Sequence, residues 1–211
     1  AKAIQAGTNV ALSSTNGNVT TGEKVTATSG TVSIATGTGN ISVQAAEAGK
    51  DISLKTTEGN ITNSGVLTAK ETVSLNAVTS GNINVNNQIN GKDIEIQTAN
   101  GTIETNATGT LTATAEGGTI TVGATQGSIV LCSAVTADQK VDVEAVAGSV
   151  TLNGAVESVA GEVEVAANEA VTANATVKAK TDVTLSSTAG DVTTGEKVTA
   201  TSGTVSIATG T

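Results

Sequence analysis

The sequence predicts an all-β protein, a parallel β-solenoid (β-helix), and three observations carry that prediction. Short apolar-x-apolar triplets recur about every 21 residues, as in VSIATGTGNIS (32–42), ISLKTTEGNIT (52–62) and IEIQTANGTIE (94–104). Each triplet runs into a Gly turn flanked by Asn, Asp, Thr or Ser, and period-two alternation bounded by such turns reads as short strands. The last twenty residues, Val192 to Thr211, repeat Val19 to Thr38 letter for letter at an offset of 173 positions.

The first strand of each coil is placed by its leading triplet residue: Val10, Val32, Ile52, Val73, Ile94, Ile120, Val141, Val163 and Val183. Steps of 20 to 22 residues separate them, apart from 26 between Ile94 and Ile120, and eight steps cover the 173-residue offset. The prediction is therefore coils of 20–22 residues, about eight to the repeat. A second strand follows each Gly turn, at Val19, Ile41, Ile61, Ile83, Ile103, Ile129, Val150, Val171 and Val192. A shorter third strand is expected at Val25, Val66, Ile89, Val135, Val156, Val177 and Val198. The long step holds extra residues around Leu111, and this segment, 105–119, is expected to form a bulge or lateral loop. Periods near twenty residues without helical spacing point to a solenoid. Parallel crossovers make right-handed winding the expectation.

Domain organisation follows from the repeat. Residues 1–211 read as one continuous solenoid, with 11–183 as one full repeat and 184–211 as the start of the next, nearly identical to 11–38. Stacking places inward Val, Ile and Leu in ladders down the axis. Their partners Ser33, Ser53, Ser74, Glu95, Thr121, Asp142, Glu164 and Thr184 are placed on the outside.

Composition narrows function further. The chain has no Phe, Trp, Tyr, Met, Pro, His or Arg, and its apolar share of 37% lies below the usual 45–50% or so. With no Pro, every backbone amide is free to donate to a ladder. A net charge of −9 and the lack of aromatic platforms argue against nucleic-acid binding. No run of about 18 apolar residues is present, so no membrane insertion is expected of this segment.

Units of the form V-x-L-x-S-x-x-G-N-I-T, seen at 183–193, 10–20 and 52–62, resemble the repeat regions of filamentous haemagglutinin-type adhesins. These are long bacterial β-solenoid surface proteins exported by two-partner secretion. The resemblance implies a secreted, extracellular or cell-surface location and a structural, adhesin-like role.

No residue is assigned a catalytic, cofactor-binding or metal-binding role, and no cofactor is expected. The acid pairs Glu162 with Glu164 and Asp93 with Glu95 share a face without any Arg, His or aromatic beside them, and read as solvated surface. The Asp-bearing turns at 49–52, 91–94 and 189–192 are too scattered for a calcium array; the Lys next to two of them suggests surface ion pairs. Thr-x-Thr at 26–28 and 112–114 does not recur coil after coil, which weakens an ice-binding reading. Asn18, Asn40 and Asn60 sit in glycosylation sequons, but Gly-Asn is also turn chemistry in which Asn bonds along a ladder. Cys132 is expected to pack near a corner as a small hydrophobe, with exposure and cross-linking of fibres as the other reading.

The function expected from all this is a structural segment of an extracellular fibre or stalk. Its partner would be itself, through end-to-end stacking of repeats or subunits, with lateral fibre contacts possible. An adhesive module recognising a glycan or surface through 105–119 or the Thr/Ser face is the second reading.

Overall fold

A computed structural model describes residues 3–210, and it holds 27 strands and no helix. Every strand pairing is parallel. Ten strands form one sheet, running in chain order from Val10–Asn16 to Val205–Ala208; the other seventeen form a second sheet. The chain winds through ten coils, numbered here by their first strand from Val10 to Val205: in coils 3 to 9 one strand of the first sheet and two of the second make a coil, and in coils 1 and 2 the second sheet supplies one long strand, Val19–Ala27 or Ile41–Ala48.

The register puts the expected starts on one ladder: Val10 faces Val32, then Ile52, Val73, Ile94, Ile120, Val141, Val163, Val183 and Val205 in turn. The second-strand residues, from Val19 through Ile41 and Ile103 to Val192, are likewise in register. Alternate residues point inward and are almost entirely buried from Val25 to Leu185, so the core is one column of Val, Ile, Leu and Ala. Full burial of such a side chain stabilises by roughly 1.5–3 kcal/mol, and each of coils 2 to 8 contributes several.

Two expectations about the third strand are corrected. Leu67, not Val66, takes the inward place in coil 3: Leu67 is fully buried between Ala46 and Ile89, while Val66 is 38% exposed. The corner before it, Asn63-Ser64-Gly65, uses one more residue than the triplet spacing suggested. The segment 105–119 forms no lateral loop. Thr105 ends the strand Ile103–Thr105, and Leu111–Ala113 is the third strand of coil 5, with Leu111 buried between Ile89 and Val135. The extra residues are split between two corners. Ile103 and Leu111 are eight positions apart where Ile129 and Val135 are six apart, and a second tight turn at 114–118 absorbs the remainder.

The first corner is built on a column of glycines. Gly17, Gly39, Gly59, Gly81 and Gly101 have φ between +135° and +157°, and a Cβ on any of the last four would run into the backbone of the glycine one coil before. No larger residue can hold that backbone and that spacing together. Beside them, Thr36, Thr56 and Thr98 turn inward and donate their hydroxyls to the carbonyls of Gly17, Gly39 and Gly81 at 2.9, 3.0 and 2.7 Å. Each hydroxyl thus satisfies a carbonyl at the bend, where the sheet ladder is interrupted.

Candidate interaction surfaces

The Asn residues at the first corner form the ladder expected of them. Asn18 Oδ1 accepts from the Asn40 amide, Asn40 Oδ1 from Asn60, Asn60 Oδ1 from Asn82 and Asn82 Oδ1 from Thr102, all at 2.8–2.9 Å. A single type of bond therefore ties five successive coils. The sequon side chains Asn18, Asn40 and Asn60 are exposed, one coil apart, and each uses its carbonyl oxygen to hold the next coil.

The outward residues of the ten-stranded sheet also fall on one ladder, from Ser33 through Glu95 and Asp142 to Thr184, and none of them is buried. Like charges meet there, because Asp142 is directly opposite Glu164. Lys140 offsets this repulsion, with its ammonium 2.8 Å from Glu164, 3.3 Å from Glu162 and 3.6 Å from Asp142. The hydrogen bond that Lys140 donates to Glu164, reinforced by the charge of Asp142 and a second bond donated to Glu162, holds its ammonium well above the ordinary range despite partial burial. A raised folded-state value means the contribution is complete below about pH 10 and is lost only as pH rises beyond that. Glu162 and Glu164 thus share one cation supplied by the coil before. The sequence carried this signal, since Lys140 stands 22 positions before Glu162, one coil's step.

The Asp-bearing turns do something other than expected. Asp51 Oδ1 accepts the Thr72 amide at 3.1 Å, and Asp93 Oδ1 accepts both the amide and hydroxyl of Thr119 at 3.0 and 2.8 Å. Neither Lys50 nor Lys92 forms an ion pair with them among the described residues. An Asp at the end of a corner reaches the backbone of the next coil, a bond worth more there than an exposed ion pair. Among the described residues no group of three or more acids or cysteines is arranged to hold a metal ion.

Thr26 and Thr112 lie on one outward ladder of the seventeen-stranded sheet, with Glu47, Thr68 and Asn90 between them. The hydroxyl row is therefore broken by a charge and an amide. Cys132 is half-buried and lies in the second corner, between the strands Ile129–Leu131 and Val135–Ala137, but it is not part of the buried core. The inward place belongs to Ser133, whose hydroxyl donates to the Gly109 carbonyl at 2.6 Å, while Cys132 donates its amide to Thr105 Oγ1 at 2.8 Å. Asn153 Nδ2 lies 3.7 Å from the thiol sulfur. The alternation of facing through Leu131, Cys132 and Ser133 decides this, and it overrides the apolar character of the preceding triplet.

At the far end of the solenoid, Val205 and Ile207 are 43% and 48% exposed, on a coil with one described neighbour. Their counterparts 173 positions earlier, Val32 and Ile34, are fully buried between two coils. Comparison of the chain with models of known families, with curated proteins and with solved structures finds no match.

Proposed function

We propose that the chain is a shaft segment of an extracellular fibre or cell-surface stalk, built from 173-residue repeats stacked coil upon coil. One observation supports this above the others: the sequence repeat equals a whole number of coils. Val10 and Val183 begin matching coils on the same ladder, and the duplicated stretch re-enters the positions of its first copy. A repeat of that length lets copies follow one another without a change of register, so the core column and backbone ladders continue across the join.

The work of such a segment is mechanical. Continuous ladders give length and stiffness, and a polar surface without aromatics limits indiscriminate association. The resemblance of the G-N-I-T units to filamentous haemagglutinin-type adhesins agrees with this role and with a secreted, cell-surface bacterial protein. Electron micrographs of the native material test the reading. We expect thin, unbranched fibres with an axial repeat of eight coils, about 38 Å at roughly 4.8 Å per coil. Discrete globules would overturn it.

A further inference from the structure

The charges of this chain are segregated along its axis. Eleven of its 19 acids and one of its ten lysines lie between Asp93 and Glu169, which leaves eight acids and nine lysines elsewhere. Coils 5 to 8 thus carry the whole negative excess. On the face of the ten-stranded sheet, Glu95, Asp142, Glu144 and Glu164 point outward, and Lys140 is the one cation among them.

Three lysines stand on a corner elsewhere. Lys50, Lys70 and Lys92 occupy the third corner of coils 2, 3 and 4, where backbone bonds run from the Glu71 amide to the Lys50 carbonyl and from the Lys92 amide to that of Glu71. Lys50 and Lys70 are exposed and Lys92 half-buried, and none forms an ion pair among the described residues. Asp51 and Asp93, the acids next to two of them, are occupied with the backbone of the following coil, which leaves Glu71 as the exposed acid on the ridge.

A third feature lies on the acidic face. Outward positions there run Asn76, Gln97, Gly123 and Glu144, and Gly123 opens a groove of about 370 Å³ rimmed by Val78 and Val146, which are 41% and 54% exposed. Packing does not demand this glycine. Its φ is unexceptional, and a Cβ there would meet nothing nearer than Gln97 Cγ at 4.0 Å. Glycine inside a strand weakens it relative to Ala and often marks close approach by another backbone or a ligand.

We propose that this face docks a second copy of the chain side by side, receiving the ridge of Lys50, Lys70 and Lys92. Ridge and face share the coil spacing of about 4.8 Å: Lys50, Lys70 and Lys92 stand on three successive coils, and the carboxylates of Glu95, of Asp142 with Glu144, and of Glu164 stand on coils 5, 7 and 8, with Thr121 and Gly123 between them on coil 6. The groove at Gly123 takes one lysine stem between Val78 and Val146, with its ammonium at Glu144; aliphatic stems pack in this way while the charge stays at water. Two copies in parallel and level would set acid against acid. An offset of about four coils, roughly 19 Å, sets ridge against face.

Sedimentation of the 211-residue chain tests this. Reversible association is expected at about 20 mM salt and is expected to be at least tenfold weaker at about 0.5 M, where exposed charges are screened. The triple variant Lys50→Glu, Lys70→Glu, Lys92→Glu should weaken association at least tenfold. So should Gly123→Gln, which fills the groove where the fold has room. Mixing the triple variant with a chain carrying Glu95→Lys, Asp142→Lys and Glu144→Lys should restore association between unlike chains. A chain that stays monomeric at low salt overturns the proposal, as does association indifferent to salt and to both substitutions. The latter result would mark end-to-end stacking through apolar coils, so the fibre reading would stand while lateral docking fell.

Discussion

Val19 to Thr38 and Val192 to Thr211 have the same sequence and different surroundings. The first copy has a neighbour on both sides along Val25–Ala27 and Val32–Thr38; the second has a described neighbour on one side only. In the first, Val19–Ala27 is a continuous strand of nine residues followed by Val32–Thr38; in the second, the same letters give Val192–Thr194, Val198–Ala200 and Val205–Ala208. The cause lies in the neighbour. Ile41–Ala48 has one residue fewer at its corner, and the first copy runs straight alongside it with an irregularity between Thr21 and Lys24 and an ion pair from Lys24 to Glu47. The second copy pairs with Val171–Ala173 and Val177–Ala179, which bend at the corner, and it bends with them. Strand length here belongs to the pair of coils and not to one segment.

That comparison can be broken by substituting matched positions. Ile34→Ala removes a fully buried side chain and should cost about 2–5 kcal/mol. Ile207→Ala, its twin at 48% exposure, should cost well under half as much. Denaturant melts of the two variants check this, and equal losses would mean that covering coils contribute little. Extending the chain beyond Thr211 with the sequence that follows Thr38 should bury Val205 and Ile207. Amide exchange at 205–208 should then slow towards that at 32–38, and no change in protection would show that the next coil does not stack.

Hydrogen bonds offer a finer comparison. The Thr36 hydroxyl is bonded to the Gly17 carbonyl, whereas its twin Thr209 is exposed. Thr36→Val should cost about 1–3 kcal/mol by leaving a carbonyl unpaired, and Thr209→Val close to none, as thermal melts would record.

The smallest effect concerns a twin pair that differs in charge. Asn9 Oδ1 accepts the Thr31 amide at 2.9 Å, and Asp182 Oδ1 accepts the Thr204 amide and hydroxyl, each at 2.8 Å. Those bonds, the backbone one foremost, hold the Asp182 carboxyl below its ordinary value. A lowered folded-state value means stability that is present above about pH 4 and lost as pH falls through the folded value. Exchange at Thr204 should therefore quicken in acid while that at Thr31 does not, and Asp182→Asn should abolish the difference.

Much of the fold was legible because one spacing rule governs it. The first inward residue of each first and second strand is β-branched, and parallel stacking keeps those residues in line, so the letters place Val10 to Val183. Third strands were harder to read. Ala46 and Leu111 occupy the inward position there, and corner lengths vary by several residues, so spacing alone points to Val66 in place of Leu67 and to a bulge or lateral loop over 105–119. The surfaces were less legible still, because the partners of Glu164, Asp51 and Cys132 stand on neighbouring coils 21 to 27 residues away.

By itself the sequence determined a polar, aromatic-free solenoid, its coil length, its glycine corners and the return of the repeat to its own register. These are local matters: alternation sets facing, glycine permits the bend, and β-branched residues favour the strand. Only the tertiary structure decided which corner residue turns inward, which carboxylate bonds backbone and which meets Lys140, and where Gly123 leaves the face open. Those outcomes depend on what the adjacent coil places within about 4.8 Å, which no stretch of sequence shorter than two coils contains.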